Sequence, residues 1–481
     1  MRLETLTSRM PTSRVTFSRP HGGVSLAAVA VGLVVLTAVV RVQGPTTVAR
    51  APERFTMRVV ASGFASPWEI AWGPDGQLWV TEREAFRVLQ VDPTDGMRRV
   101  LLTVHEVHRS VTQDGLLGLA FHPDFSKGTG SDYVYLAFTY DDAPGPALAR
   151  RLGIRRYRFD AATRTLVEPV EVLAGLPTHD DHVGGRLAVG PDRKLYLTIG
   201  DQGSNFGPNR CTANRAQELP TAADVAAKNW ARYQGKILRV DLDGAIPPDN
   251  PTIGGVRSHV FSVGHRNPLG LAFGPGGRLY ESEHGPSSDD EVNLIEGGRN
   301  YGWPNVAGHR DDKAYTYANW SASAPQPCAS LPPGGGNAPI PASVPQQTEV
   351  SWTHPQFTPP LQTFFTVENG FDFRQGATMA PGGLEVYTGT AIAGWTNSVL
   401  ALSLLRGVAF KMTLSADGRS TAGPPLETLK TTNRYRDIAF NPDGRRIYIV
   451  TDVSGRTTDA NGVPTQQVAN PGSILEFTYT N

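Results

Sequence analysis

Apolar strands separated by polar turns recur along this chain, and their pattern predicts its fold. Each copy has an apolar strand, a turn that contains Pro with Asp or Gly, and a second apolar strand; clear copies occupy residues 70–82, 187–201, 271–283 and 438–452. Weaker copies lie near Pro123 and Pro381. Such runs are typical of β-hairpins, and six irregularly spaced hairpins favour radial repetition over a β-sandwich or two barrels. The prediction is an all-β, six-bladed β-propeller of four-stranded antiparallel blades.

The first part of the chain differs in composition from the rest. Residues 1–20 are basic, and residues 24–40 form an apolar run that Arg41 closes. The length of this run falls between the apolar core of an export signal and the roughly 20 residues of a membrane span. We expect residues 1–50 to be an N-terminal export signal or a membrane anchor with a linker. Residues 51–481 are expected to form one propeller domain in the periplasm or outside the cell, with its first and last segments closing the ring.

Charge and cysteine content narrow the classes of function. The 45 Lys and Arg residues equal the 45 Asp and Glu residues in number, so no overall field favours binding to nucleic acid. The 51 glycines and 38 prolines suit a turn-rich β protein. Residues 321–350, rich in Pro, Gly and Ala, are predicted to form a long loop between two strands. Cys211 and Cys328 are too few for a disulfide framework or a zinc site, and the sequence leaves open whether they pair.

A histidine with carboxylates at both ends of one hairpin is the first candidate for chemistry. Asp181 and His182 precede the hairpin, and Asp201 ends it. His182 is a candidate base for a hydroxyl proton, and Asp201 is a candidate for fixing its tautomer. The alternative is a histidine in a surface turn, without a catalytic role.

Arginines near two predicted strands are the next candidates. Arg266 and Asn267 precede a buried strand, where a guanidinium can stabilise an oxyanion or bind a carboxylate. Arg434 and Arg436 are two residues apart, so on a strand both side chains point to one face. Two cations on one face repel unless an anion lies between them, which suggests a ligand with several carboxylates or phosphates. Capping of loop carbonyls and a solvated strand edge are the alternatives.

Residues 282–312 form a loop rich in Gly and Pro that carries five acidic side chains: Asp289, Asp290, Glu291, Asp311 and Asp312. Hard oxygen ligands together with exposed loop carbonyls suit Ca²⁺. The spacing is not that of an EF-hand, and a solvated acidic loop is the alternative.

Six motifs in order resemble those of the soluble quinoprotein glucose dehydrogenase family: QDGLLGLAFHPDF, DHVGGRLAVGPDRKLYLTIGDQG, GKILRVDLDGAIPPDNP, GHRNPLGLAF, GPSSDDEVNLIEGGRNYGWPNVAG and NRYRD. The resemblance extends from about Phe55 to the C-terminus. It implies a six-bladed propeller that uses pyrroloquinoline quinone and Ca²⁺. The implied activity is oxidation of the C1 hydroxyl of an aldose to a lactone, with electrons leaving to an external acceptor.

The resemblance also implies roles for residues around the reacting carbon. His182 would remove the C1 hydroxyl proton as the C1 hydride passes to the quinone, and Asp201 would orient His182. Gln113 and Asp181 would bind sugar hydroxyls. Arg266 would stabilise the negative oxygen that develops on the quinone.

Other matching positions are implied to hold the cofactor and two kinds of metal site. The residues expected on the cofactor, besides Arg266, are Asn267, Thr378, Arg434 and Arg436. The backbone carbonyls of Gly285 and Pro286 would hold a catalytic Ca²⁺. A second, structural Ca²⁺ site is matched, partly through backbone oxygens, by Glu291, Tyr301, Ala307, Asp311 and Glu349.

Three departures from the family pattern concern the quinone and the sugar. Leu405 stands where the family has a lysine over the quinone, and Phe206 stands where it has a glutamine that lines the glucose pocket. Residues 370–383 replace a longer, cysteine-bridged aromatic loop that covers the sugar. We therefore expect an aldose dehydrogenase whose preferred sugar need not be glucose.

Two other interpretations stay open from the sequence. A calcium-dependent lactonase on a six-bladed propeller is opposed by the pair Arg434 and Arg436. A non-catalytic propeller that binds sugars or proteins is favoured by Leu405 and opposed by the intact His182. The family often forms homodimers, and both a homodimer and an N-terminal membrane anchor are compatible with the sequence.

Overall fold

The order of strands in the sheets defines the architecture. In the computed structural model, the described residues are 54–110, 112–143, 145–313, 315–332, 340–368 and 378–480, and all of them belong to one compact unit. Within these residues, six four-stranded antiparallel sheets follow one another along the chain. The first strand of each sheet contacts the first strands of both neighbouring sheets, so that the sheets close into a ring. The protein is a six-bladed β-propeller, which confirms the predicted fold class.

Blades 1 to 3 take their strands in chain order, from the innermost strand beside the central axis to the outermost. Blade 1 contains Pro67–Trp72, Leu78–Glu82, Arg87–Val91 and Arg98–Thr103. Blade 2 contains Leu116–Phe121, Tyr133–Asp141, Arg150–Asp160 and Thr165–Pro177. Blade 3 contains Gly184–Val189, Leu195–Ile199, Lys236–Val240 and Val260–Val263. Apolar side chains from facing blades interlock, as Tyr135 and Ala137 of blade 2 do with Leu195 and Leu197 of blade 3.

Blades 4 to 6 complete the ring, and the last blade takes its outer strand from the start of the domain. Blade 4 contains Pro268–Phe273, Leu279–Glu283, Asp290–Ile295 and Gln362–Phe364. Blade 5 contains Pro381–Tyr387, Ser398–Ser403, Ala409–Thr413 and Leu426–Thr428. Blade 6 contains Tyr435–Phe440, Arg446–Thr451, Ser473–Tyr479 and Phe55–Ser62. Because Phe55–Ser62 pairs with Ser473–Tyr479, the prediction that the first and last segments close the ring is confirmed.

Five of the six repeated hairpins are the two inner strands of a blade, and the copy near Pro381 is displaced. Pro381 begins a strand that pairs with Ser403, and the turn comes only after Tyr387. The first position of a strand suits Pro, which has no N–H to donate. A Cβ on the adjoining Gly382 would lie 2.6 Å from the carbonyl oxygen of Tyr435. The Pro-Gly pair near Pro381 therefore reflects close packing of neighbouring inner strands, not a turn.

The remaining elements are short. The α-helix Ala222–Ala226 begins with a capping box at Thr221 and Asp224. Two-residue strand pairs join Thr252–Ile253 to Val256–Arg257, Tyr317–Ala318 to Gln346–Gln347, and Thr457–Thr458 to Pro464–Thr465. The 3₁₀ turns are Gly207–Asn209, Pro275–Gly277, Trp320–Ala322, Cys328–Ser330 and Glu349–Ser351. Among the residues described, no helix has the length and apolar character needed to cross a membrane.

The predicted long loop at 321–350 lies between the third and fourth strands of blade 4. Its described part encloses a small apolar cluster of Trp320, Cys328, Leu331 and Val344. A disulfide joins Cys328 to Cys211, with the two Cα atoms 5.6 Å apart. This bond settles the pairing that the sequence left open, and it fastens the loop to the segment that follows Asp201. The predicted export signal or anchor, residues 1–50, lies outside the described residues and stays a prediction.

Candidate active site

The candidate residues converge because most of them come just before an innermost strand. His182 precedes Gly184–Val189, Arg266 and Asn267 precede Pro268–Phe273, and Arg434 precedes Tyr435–Phe440. In a ring of like blades, the starts of the innermost strands lie on one rim. The sequence therefore places polar side chains from several blades around one mouth of the propeller.

His182 and Asp201 form a direct pair in this mouth. The Nδ1 atom of His182 lies 2.6 Å from Asp201 Oδ1, and the histidine is only 5% exposed. Its backbone φ is 46°, a left-handed conformation that residues with a side chain seldom adopt. No described residue bonds to the Nε2 atom of His182. The imidazole is thus fixed on one side and free to accept a proton on the other.

Three further groups hold the carboxylate of Asp201. Its Oδ2 accepts hydrogen bonds from Asn214 Nδ2 at 2.9 Å and Trp303 Nε1 at 2.7 Å, while Oδ1 also accepts from the Gly203 amide at 2.9 Å. Asp201 is completely buried. Because every contact is from a donor, the carboxylate is stabilised as an acceptor for the Nδ1–H of His182.

Gln113, Asp181 and Asn267 form a polar chain beside the base. Gln113 Nε2 donates to Asp181 Oδ1 at 2.6 Å, and Asn267 Nδ2 donates to Gln113 Oε1 at 3.2 Å. The Oδ1 atom of Asn267 is buried and has no partner among the described residues. Residues that lie far apart in the sequence are therefore brought together, with one acceptor left for a ligand.

Arg266 lies beneath this mouth and keeps part of its hydrogen-bonding capacity free. One terminal nitrogen donates to the His284 carbonyl at 3.3 Å, whereas the buried Nε has no partner within the described part of the chain. Burial, with repulsion from Arg266, lowers the pKa of His284 to about 3. Burial raises the pKa of Glu283, which accepts from the Arg266 amide, to about 8. Among the described residues, no ion pair therefore offsets the charge of the Arg266 guanidinium.

Phe206 forms an aromatic wall over the base and the guanidinium. Its ring is stacked on that of His182, with centroids 6.2 Å apart and an angle of 19° between the planes. The Arg266 Cζ lies 5.4 Å from the same ring centroid. Phe206 is 47% exposed, so it is an apolar surface on the solvent side of the site.

Arg434 and Arg436 lie on one face, as predicted, and the protein itself places an anion between them. Asp452 accepts from Arg436 at 2.8 and 2.9 Å and from Arg434 Nε at 3.2 Å. Burial disfavours ionisation of Asp452, but the two guanidinium groups, with Arg83 nearby, hold its pKa below the usual value. Repulsion between the two arginines is thus partly relieved internally, which weakens the argument for a ligand. Arg83 is itself paired with Glu84 at 2.9 Å, so Arg434 and Arg436 are two cations that share the one carboxylate of Asp452.

Asp290 organises the loop of Gly285, Pro286 and Thr378. It accepts from the Gly285 amide at 3.0 Å and from the Thr378 hydroxyl at 2.5 Å, and burial raises its pKa to about 6. A Cβ on Gly285 would overlap the carbonyl of Ser288. Only glycine therefore fits this turn, because the backbone of Ser288 and Asp289 fills the space that a side chain would need.

The residues matched to a structural metal site differ in the hydrogen bonds that their side chains make. Glu349 accepts from the Ala307 and Asp312 amides at 2.9 and 3.1 Å, and Glu291 accepts from the Gly308 amide at 2.6 Å. Burial, then the nearby charges of Asp311 and Asp289, raises the pKa of Glu349 to about 8. The Tyr301 hydroxyl instead donates to the Leu294 carbonyl at 2.6 Å. Crowded carboxylates surround residues 307–312, and the Tyr301 side chain is engaged elsewhere.

Comparison with known proteins identifies the family. Residues 64–333 match the model of the Glucose / Sorbosone dehydrogenase family. Quinoprotein glucose dehydrogenase B of Acinetobacter calcoaceticus is 42% identical over 94% of this chain and 97% of its own. The chain belongs to the glucose/sorbosone dehydrogenase family.

Two more relatives support this assignment. The PQQ-bound aldose sugar dehydrogenase of Streptomyces coelicolor is 28% identical in sequence, with a TM-score of 0.61 over 89% of this chain and 99% of its own. An aldose sugar dehydrogenase of Escherichia coli is 29% identical over 53% of this chain and 63% of its own.

This member of the glucose/sorbosone dehydrogenase family has Leu405 where a lysine was expected from the motif. The Leu405 amide donates to the Met379 carbonyl at 3.2 Å, which places it next to Thr378. The neighbouring Arg406 donates from Nε to the Thr378 carbonyl at 3.4 Å, and its Cζ lies 3.8 Å from the Phe365 ring centroid. A cation is therefore present one residue further along. Most of the remodelled segment, residues 369–377, lies outside the described residues.

Sequence reasoning missed three residues that shape this family member's site. Asn214 and Trp303 hold Asp201, and Asp452 holds the two arginines. Trp303 lies within a motif that was noted for implied metal ligands, and Asp452 ends the repeated hairpin at 438–452. The sequence shows where each of these residues lies in the chain, but it does not show which residue each one contacts in the fold.

Proposed function

We propose that the protein is a pyrroloquinoline quinone- and Ca²⁺-dependent aldose 1-dehydrogenase that oxidises the C1 hydroxyl of a sugar to a lactone. The observation that carries the proposal is the fixed pair of His182 and Asp201, which leaves His182 Nε2 free, with His182 and Arg266 both in contact with the ring of Phe206. A base, a hydroxyl-binding chain and an unmatched cation meet at one mouth, as oxidation of an alcohol requires. The names of the similar proteins supply the cofactor and the class of substrate.

His182 performs the proton transfer in this proposal. Its Nδ1–H donates to Asp201, which leaves Nε2 as the acceptor for the C1 hydroxyl proton. Gln113 and Asp181 position the sugar hydroxyls, and Phe206 supplies an apolar face for the sugar ring.

The residues at the mouth fit the cofactor. Arg266 Nε and Asn267 Oδ1 are buried without partners in the described structure, and unpaired buried groups are costly unless a ligand satisfies them. Arg434 and Arg436 are proposed to bind carboxylates of the cofactor, with Thr378 assisting. When bound, pyrroloquinoline quinone supplies the acceptor for the two electrons that leave sugar C1 with its hydride. Arg266 stabilises negative charge that develops at the acceptor.

Two Ca²⁺ sites are part of the proposal. The backbone carbonyls of Gly285 and Pro286 would hold the catalytic ion, and Asp290 keeps their turn in place. The structural ion would be held by the group Glu291, Tyr301, Ala307, Asp311 and Glu349, to which Tyr301 would contribute its backbone. Carboxylates whose pKa values are raised by burial and by one another are groups that a cation stabilises.

Reconstitution tests the proposal directly. The full chain, freed of cofactor, is titrated with pyrroloquinoline quinone in Ca²⁺ while absorbance and dye reduction are followed with a panel of aldoses. Saturable binding and sugar-dependent bleaching are expected. Lactone hydrolysis with Ca²⁺ alone would instead establish a lactonase, and neither activity in the folded protein would establish a non-catalytic propeller.

The proposed setting is the periplasm or the cell exterior, where an external acceptor takes the electrons. Homodimerisation and membrane anchoring through residues 1–50 are separate proposals. Sedimentation of the purified chain tests the first, and fractionation of cells that produce it tests the second. A monomer, or protein found wholly in the soluble fraction, would contradict them.

A further inference from the structure

A polar cavity of about 580 Å³ lies beside the active site and has no part in the reaction proposed above. Its volume is in the range of pockets that bind small molecules. Its walls come from Asp142 and Arg151, the end of the outer strand of blade 2, and the loops at 202–215 and 228–234. The chemistry of this lining defines what it can bind.

Two glutamines in the lining are incompletely paired. Gln234 Nε2 donates to Gln202 Oε1 at 3.0 Å. That bond leaves Gln202 Nε2 and Gln234 Oε1 buried, and neither has a partner among the described residues. One free donor next to one free acceptor matches a sugar hydroxyl, which both accepts and donates.

The rim of the same cavity is positive. Arg151, Arg215 and Lys228 line it against one acid, Asp142, which lies 3.8 Å from Arg151. Arg215 approaches Glu218 only at 3.9 Å, and the described residues provide no ion-pair partner for the Lys228 ammonium. An excess of cations around hydroxyl-binding amides favours a ligand that is both hydroxylated and anionic.

The cavity shares its walls with the loop that holds the catalytic pair. Gln202 follows Asp201 directly, and its amide donates to the His182 carbonyl at 3.3 Å. Thr212 and Ala213 line the cavity just before Asn214, which donates to Asp201. A ligand in the cavity would therefore lie against the back of the loop that positions the base.

We propose that this cavity binds a sugar acid, that is, a polyhydroxylated carboxylate. Its relation to turnover rests on the proposed aldose dehydrogenase activity, whereas binding itself does not. Two sources share this chemistry: the free aldonate formed when the lactone product hydrolyses, and a uronic acid unit linked to the reducing sugar of a longer substrate.

Calorimetric titration of the full chain with gluconate tests the binding. Saturable binding is expected, weakened at least about 10-fold in Lys228→Gln and in Arg151→Gln, because each removes one rim cation. The matched control is Lys127→Gln, an exposed lysine outside the cavity, which should bind like wild type. Sorbitol, a neutral polyol, should bind more weakly than gluconate. No saturable heat, or equal binding by all variants, would overturn the proposal.

Turnover by the holoenzyme distinguishes the two sources. If the ligand is part of the substrate, Lys228→Gln lowers kcat/KM for cellobiouronic acid relative to cellobiose and leaves glucose unchanged. If the ligand is free aldonate, that ratio is unchanged and added gluconate alters glucose turnover in wild type but not in Lys228→Gln. Absence of turnover with every sugar would refute the proposed function. The calorimetric titration would then be the only test of ligand binding in the cavity.

Discussion

Replacement of Asp201 by Asn is the sharpest test of the proposed base. The change keeps the shape of the side chain and puts one NH₂ group where an oxygen was. In one orientation the NH₂ faces His182 Nδ1 and the Gly203 amide; in the other it faces the donors of Asn214 and Trp303. In the first orientation the NH₂ group faces one N–H donor, and in the second it faces two. Each buried donor that is left without an acceptor costs about 1–3 kcal/mol.

The first orientation should therefore prevail, and it reverses the imidazole tautomer. An NH₂ that donates to Nδ1 forces the ring proton onto Nε2, so His182 can no longer accept a proton from the substrate. Loss of a correctly oriented general base costs about 10²- to 10⁴-fold in rate, which corresponds to about 3–5 kcal/mol of barrier. The lost contact with the Gly203 amide adds about 1–3 kcal/mol of destabilisation.

The assay is kcat from dye reduction by the reconstituted holoenzyme, with cofactor binding followed by absorbance. Asp201→Asn should lose turnover by roughly three orders of magnitude while it keeps the cofactor affinity of wild type. Asp124→Asn, which weakens surface ion pairs with Arg193 and Lys127, is the control and should keep full turnover. A value of kcat within about fivefold of wild type, with the protein folded and loaded, would refute the tautomer argument.

Other changes test separate parts of the site. Leu405→Lys should tighten cofactor binding, measured by absorbance titration, if this position faces the cofactor. An unchanged Kd would show that Arg406 already supplies the positive charge or that position 405 points away from the cofactor. Phe206→Gln should remove an apolar face and add hydrogen-bonding groups, so kcat/KM should fall for sugars with apolar substituents relative to glucose, and an unaltered ratio across an aldose panel would contradict a role in specificity. Glu349 has a folded-state pKa of about 8, above its usual value. Without Ca²⁺, its contribution to the stability of the fold is therefore lost as pH rises from about 4.5 to 8. Thermal melts should show that Ca²⁺ stabilises the protein more at pH 8 than at pH 5, and equal stabilisation at both pH values would contradict Ca²⁺ binding at Glu349. The Cys211–Cys328 bond closes a loop of 117 residues, and the double Ser variant should be about 2–5 kcal/mol less stable by denaturant titration, whereas wild-type stability would mean that the two segments are held by other contacts.

The fold was predictable because its signal is local. Each inner hairpin lies within a short stretch of sequence, and its alternation of apolar strand and turn needs no partner to be recognised. The error near Pro381 has the same origin. A Pro-Gly pair suggests a turn, but here Gly382 is required by the approach of Tyr435 from the next blade, a contact between residues far apart in the chain.

The site was predictable where its partners share one hairpin, as His182 and Asp201 do. Asn214 and Trp303 reach Asp201 from other loops, and only the folded ring brings Trp303 Nε1 to within 2.7 Å of it. Asp452 shows the limit of charge arguments from sequence. The two arginines did predict an anion between them, and the chain supplies one of its own.

Closure of the ring has a consequence for how the protein is made. The strand Ser473–Tyr479 lies between Arg446–Thr451 and Phe55–Ser62. The first strand of the domain therefore has no strand partner until its last strand, Ser473–Tyr479, has been synthesised. Five blades can collapse before that point, but the ring stays open until Ser473–Tyr479 pairs with Phe55–Ser62.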